Sequence, residues 1–129
     1  MPDRAFPVIY TTDVARSVRF YTRLGFEVRY QFPPDGEAGY VSLRRGSADL
    51  GLVDASSPRE LLGAEVGEGP RFEMFIYVED VDTTLDALRR DGARVVREPE
   101  DMPWGERVGY LADPDGNPVA LAASVRGAE

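Results

Sequence analysis

The sequence predicts an α+β fold made of two tandem β-α-β-β-β modules, and two observations carry that prediction. Ile9-Tyr10-Thr11-Thr12-Asp13-Val14 and Ile76-Tyr77-Val78-Glu79-Asp80-Val81 read as copies about 67 residues apart. The match continues without a gap: Ser17 meets Thr84, Val18 meets Leu85, Tyr21 meets Leu88, Gly25 meets Gly92 and Val28 meets Val95. Each copy also repeats one order of signals: an apolar run, an Asp, a helical stripe, a Gly and a second strand. Two similar units that bury a shared surface follow from such a duplication.

In the first module, Phe6 to Thr11 has the β-branched and aromatic bias of a strand. Thr12 or Asp13 caps the next helix, whose buried stripe is Val14, Val18, Tyr21 and Leu24. Gly25 stands where a left-handed helix end is wanted. Phe26 to Phe32 alternates apolar and polar residues as a strand does, and Pro33-Pro34-Asp35-Gly36 breaks it. Tyr40 to Arg44 and Ala48 to Val53 read as two more strands joined at Arg45-Gly46-Ser47. Ser57-Pro58-Arg59-Glu60 has the spacing of a capping box with Pro at the first helical position. In the second module Phe72 to Val78 is a strand, and Asp80 or Asp82 starts a helix that turns Val81, Leu85 and Leu88 inward. Arg94 to Arg97 is a strand, Glu98 to Gly105 a loop, and Arg107 to Ala112 a strand. Asp113-Pro114-Asp115-Gly116-Asn117 is a tight turn of strong turn formers, and Val119 to Ala123 is the last strand. Residues 1–129 are expected to form one domain, with module one at 5–55, a linker at 56–70 and module two at 71–124.

Composition removes whole classes of chemistry. The chain has no His and no Cys, and its 15 basic residues are all Arg. Thiol nucleophiles, imidazole relays, lysine Schiff bases and the ligands that Zn, Fe or Cu prefer are therefore missing. Carboxylates, hydroxyls, phenols, Arg and backbone dipoles remain, and composition leaves an all-oxygen Mg or Ca site open. A net charge of −8 argues against nucleic acid, which needs a basic face. No segment approaches the roughly 20 apolar residues of a membrane span, and Met1-Pro2-Asp3-Arg4 lacks the apolar core of an export leader. A cytoplasmic location is expected, with no membrane partner.

The paired modules, the Asp-led helix ending in Phe20-Tyr21-x-x-Leu24-Gly25-Phe26, and the late Asp-Pro-Asp-Gly-Asn turn together resemble the vicinal oxygen chelate superfamily. That group holds glyoxalase I, extradiol dioxygenases, fosfomycin-resistance enzymes and bleomycin-resistance proteins. The resemblance spans about Phe6 to Ala123. It implies that each module curls its sheet into half of a barrel, the glyoxalase/bleomycin-resistance fold, with the ligand on the concave side. It does not fix the activity, because members bind, isomerise, cleave or transfer.

Metal-dependent members carry ligands at positions that here hold Phe6, Glu73, Ala120 and, counted from Gly46, Leu50. One carboxylate cannot replace a cage of three or four ligands, so the resemblance implies no metal and no other cofactor. Strand alternation puts Phe6, Val8 and Tyr10 of one module and Glu73, Phe75 and Tyr77 of the other on the concave face, with Leu50, Leu52 and Ala120 beside them. Tyr30, Phe32 and Tyr40 are expected to be half core and half rim. Trp104, in Met102-Pro103-Trp104-Gly105-Glu106, is similar to the Pro-Trp-Gly segment of bleomycin-resistance proteins, metal-free dimers that neutralise a drug by binding it. The expected partners are a small aromatic or amphiphilic compound and a second copy of the chain.

Plainer readings stand beside these. The aromatic residues could be ordinary core, and Trp104 could cover a hydrophobic edge. Glu73 could pair with an Arg, anchor a ligand or act as a general base. Asp13 and Asp80 are helix caps, Asp113 and Asn117 belong to a turn, and Arg44 and Arg45 are expected to be solvated. The leading reading is a metal-independent binder that sequesters its ligand. The alternative is a cofactor-independent isomerase or lyase with Glu73 as base, and an orphan structural relative stays open.

Overall fold

The two copies of the repeat become two separate four-stranded sheets, each with its own helix. The computed structural model describes residues 5–125. The reading of Met1 to Arg4 as lacking an export leader lies outside that range. The chain divides into two units, Met1–Gly67 and Glu68–Glu129.

The first unit runs β1 (Val8–Thr11), α1 (Val14–Thr22), β2 (Glu27–Phe32), β3 (Tyr40–Arg45), β4 (Ala48–Asp54) and the short α2 (Ser57–Leu62). Its sheet order is β1-β4-β3-β2, parallel only between β1 and β4. The Asp13 carboxylate accepts the Arg16 backbone N–H at 3.1 Å, so the capping reading holds. Val14, Tyr21 and Leu24 are buried as the stripe predicts, whereas Val18 is only half-buried and Ser17 is buried in its place. Ser17 reaches the sheet through a 2.7 Å hydrogen bond with Thr11. Gly25 takes a φ of 96°, open to glycine without a Cβ penalty. The Arg45 side chain packs over it, and its Nε donates to the Leu24 carbonyl at 2.9 Å. Arg45 is thus a helix-end cap, not a solvated residue. The α2 helix has Pro at its start, but Ser56, at the N-cap, makes no side-chain capping bond, so the expected capping box does not form.

The second unit repeats the pattern: β5 (Met74–Tyr77), α3 (Val81–Arg90), β6 (Arg94–Asp101), β7 (Glu106–Ala112) and β8 (Pro118–Ser124), ordered β5-β8-β7-β6. Asp80 caps α3 at 3.0 Å from the Thr83 N–H, and Val81, Leu85 and Leu88 are buried. The expected loop from Glu98 to Gly105 shortens to Met102–Gly105, because β6 continues to Asp101 by absorbing irregularities in its pairing with β7. Asp113 and Asn117 form a structural clasp. Asp113 accepts the Asp115 and Asn117 backbone N–H groups, and the buried Asn117 amide donates to Asp113 and accepts the Arg71 N–H at 3.0 Å. That last bond ties the segment entering β5 to the turn before β8.

Each sheet has one face against its helix and one open face, and the register sorts the residues between them. In the first unit Ile9 pairs with Leu52, Val41 with Leu52 and Leu43 with Leu50, all buried on the helix side. Val8 pairs with Gly51, and Tyr10 and Tyr40 both pair with Val53, on the open side. In the second unit Ile76 pairs with Leu121 on the helix side. Phe75 pairs with Ala120 and Tyr77 with Ala122 on the open side. No described helix is long and apolar enough to cross a membrane.

Candidate ligand-binding site

A β-bulge shapes the open face of the first unit. Val28 pairs with Leu43 and Tyr30 with Ser42, so Arg29 is an extra residue without a ladder partner. Simple alternation would send Phe26, Val28, Tyr30 and Phe32 to one face. The bulge reverses the phase after Arg29: Val28 shares the Leu43 side, while Tyr30 and Phe32 come to the open side with Ser42 and Tyr40.

That face holds a cavity of about 510 Å3 bounded by Phe6, Tyr30 and Tyr40, with Arg29, Ser42, Arg44 and Asp49 as its polar groups. The volume lies within the roughly 300–1,000 Å3 usual for small-molecule sites. The Tyr30 and Tyr40 rings stand 6.3 Å apart, inclined at 56°. Gly51 is what lets the Tyr40 ring lie down on the sheet, since a Cβ there would sit 3.1 Å from the Tyr40 hydroxyl. Arg44, expected to be solvated, keeps 37% of its side chain exposed but is not a free cation. It forms a two-pronged ion pair with Asp49, at 2.7 Å and 3.1 Å, across a hairpin whose two-residue turn begins at Gly46 with φ 61°. The hydrogen bond and charge of Asp49 raise the Arg44 pKa above its ordinary value.

The open face of the second unit has a different centre. The Tyr77 hydroxyl donates to one Glu106 oxygen and the Trp104 indole N–H to the other, both at 2.8 Å. Phe75 lies against Tyr77 with ring centroids 5.6 Å apart. The hydrogen bond to Glu106, then desolvation and the nearby negative charge, hold the Tyr77 phenol above its ordinary pKa. Val108, Ala120 and Ala122 form the buried floor, with Met102 and Tyr110 packed on it.

The expected site residues fall into three groups. Phe6 and Tyr40 line the first cavity, while Val8, Tyr10 and Phe32 share its face outside the cavity wall. Phe75, Tyr77, Trp104 and Ala120 gather in the second unit, although Trp104 sits on the tight β6–β7 turn and not in a long loop. Leu50 and Leu52 are corrections. They are fully buried on the helix side because β4 runs one residue out of phase with the expectation, and Gly51 holds the open position. Val8–Gly51 in one unit then matches Phe75–Ala120 in the other. Glu73 stands exposed, one residue ahead of β5, and not as a buried carboxylate. The sequence reading missed Arg29, Ser42, Asp49 and Glu106. The Arg44–Asp49 pair was accessible from the hairpin spacing; the bulge and the Glu106 bridge leave no such mark.

The residues present do not fit a metal. The four corresponding positions hold Phe6, Gly51, Glu73 and Ala120, which offer a single exposed carboxylate. Among the described residues no three His, Cys, Asp or Glu side chains come together as a ligand set.

The profile of the Glyoxalase/Bleomycin resistance protein/Dioxygenase superfamily matches residues 5–121. YraH of Bacillus subtilis, an uncharacterized protein, is 29% identical over 88% of this chain and 91% of its own length. A glyoxalase/bleomycin resistance protein/dioxygenase from Nocardioides superposes with a TM-score of 0.74 at 26% identity, covering 100% of this chain and 88% of that one. A glyoxalase-related enzyme from Fulvimarina pelagi superposes at 0.77 with 20% identity, covering 94% and 88%.

Proposed function

The chain belongs to the Glyoxalase/Bleomycin resistance protein/Dioxygenase superfamily, and from that premise we propose that it is a metal-independent protein that binds and sequesters a small aromatic or amphiphilic compound. Antibiotics are the first class to test. One observation supports this most: the open face of the first unit carries aromatic rings around a cavity of ligand size, among them Phe6 at a position where metal-dependent relatives carry a ligand. Stacking between rings and apolar burial then supply the binding, and a few polar groups orient the guest. In this reading the working form is a homodimer. The exposed aromatic side chains Tyr30, Phe32, Phe75, Tyr77 and Trp104 support that form, since a second copy would cover them.

The test is a thermal-shift and native mass-spectrometric screen against aromatic antibiotics. The best binder is then incubated at equal concentration and analysed by mass spectrometry. Sequestration requires that it be recovered unchanged after long incubation; a product formed over many turnovers overturns the reading. Glu73→Gln separates the two activities further. A binder with this substitution still protects cells, whereas an enzyme using Glu73 as base loses roughly 100-fold or more in turnover.

A further inference from the structure

The bulge in β2 supplies a charge that the aromatic walls lack. We infer that the cavity of the first unit contains an oxyanion subsite centred on the Arg29 guanidinium, so that its ligand is a planar aromatic acid. This rests on the binding reading above and names its ligand class.

Three observations carry it. Arg29 is the extra residue of the bulge and lines the cavity, and its guanidinium makes no hydrogen bond or ion pair among the described residues. Arg44, the other cation in the wall, is already held on both prongs by Asp49. The charged groups of the wall are therefore two Arg and one Asp, a positive pocket on a chain of net charge −8. A protein so acidic repels anions in general, and a local reversal of sign marks where one is admitted. The planar guanidinium offers paired donors that match the oxygens of a carboxylate, sulfonate or phosphate. The adjoining Tyr30 and Tyr40 rings offer an aromatic wall for the body of a flat guest, and Ser42, on the same strand face, adds a hydroxyl. In the second unit the matching bulge residue is Val96, so the charge belongs to one module only.

The experiment compares three probes of one shape by titration calorimetry: 2-naphthoate, 2-naphthalenemethanol and 2-naphthylmethylammonium. The expected result is that naphthoate binds about tenfold more tightly than the alcohol, and the ammonium most weakly. Arg29→Gln should remove the preference for naphthoate and leave alcohol affinity within about twofold; Arg29→Lys should restore part of it. Tyr40→Ala should weaken all three. If all three bind with no preference for the acid, or if Arg29→Gln keeps that preference, the oxyanion subsite is refuted while aromatic binding stands. If none binds at millimolar concentration, the binding reading and the subsite fall together.

Discussion

Gly51→Ala and Gly109→Ala place the same methyl group on the two kinds of sheet face and should give opposite phenotypes. At Gly51 the new Cβ lies 3.1 Å from the Tyr40 hydroxyl, 3.2 Å from its Cε1 and 3.3 Å from Val8 Cγ2. Comfortable carbon contacts begin near 3.5 Å, so the Tyr40 ring must retreat by a few tenths of an ångström. It is half-exposed on an open face and can do so. Replacing a strand glycine returns about 0.5–1 kcal/mol of backbone entropy, which offsets the strain and leaves stability within about 1 kcal/mol of wild type. The ring retreats into the cavity, so 2-naphthalenemethanol should bind roughly three- to tenfold more weakly. At Gly109 the Cβ falls 2.8 Å from Leu85 Cδ1 and 3.3 Å from the Pro99 Cα. Leu85 is fully buried on the sheet-facing side of α3 and the Pro99 atom is backbone, so neither moves aside without cost. Overpacking there should cost about 1–3 kcal/mol without touching the cavity of the first unit. Urea unfolding reads the stability and calorimetry the affinity. The reasoning fails if Gly51→Ala loses more stability than Gly109→Ala, or if it keeps full affinity for the probe.

Asn117→Ala should destabilise the protein by about 2 kcal/mol in chemical unfolding, because it removes the acceptor of the Arg71 N–H and strands one oxygen of the buried Asp113; a neutral result would mean water replaces the amide. Tyr77 should titrate above an ordinary tyrosine, and Glu106→Gln should lower its value, as followed by carbon NMR of the phenol. The sign follows from the raised folded pKa: the contact stabilises fully below the ordinary tyrosine range and is lost as pH climbs through the folded value. Identical Tyr77 titrations in both proteins would show that Glu106 is not the cause. Trp104→Ala should weaken a ligand held by the second unit by about 1–3 kcal/mol, and full retention of affinity would reduce Trp104 to an edge cover. Light scattering at micromolar concentration should give twice the chain mass, and a monomer would contradict the dimer proposal.

The repeat made most of the element order legible before any coordinates. Strands and helices alternate as the paired motifs predict, and Asp13 and Asp80 cap their helices because an Asp ahead of an apolar stripe has few other uses. What failed was strand phase. Leu50 and Leu52 are as apolar as a pocket wall or a core, and only pairing of Ile9 with Leu52 decides between them. Tyr30, expected to be half core and half rim, reaches the cavity wall on the open side only because one unpaired residue inverts the alternation, and composition does not mark a bulge. Glu106 escaped notice because its partners Tyr77 and Trp104 lie on another strand and a turn, and only folding brings the three together.

The paired bulges at Arg29 and Val96 also bear on how such a protein diversifies. A residue outside the ladder makes no cross-strand pair that a substitution would have to preserve, yet its side chain stands on the working side of the sheet in the first unit. Mutation at that point changes what the pocket attracts without testing whether the sheet still assembles. After a duplication, the two halves can drift apart in ligand preference one substitution at a time, with the scaffold holding still around them.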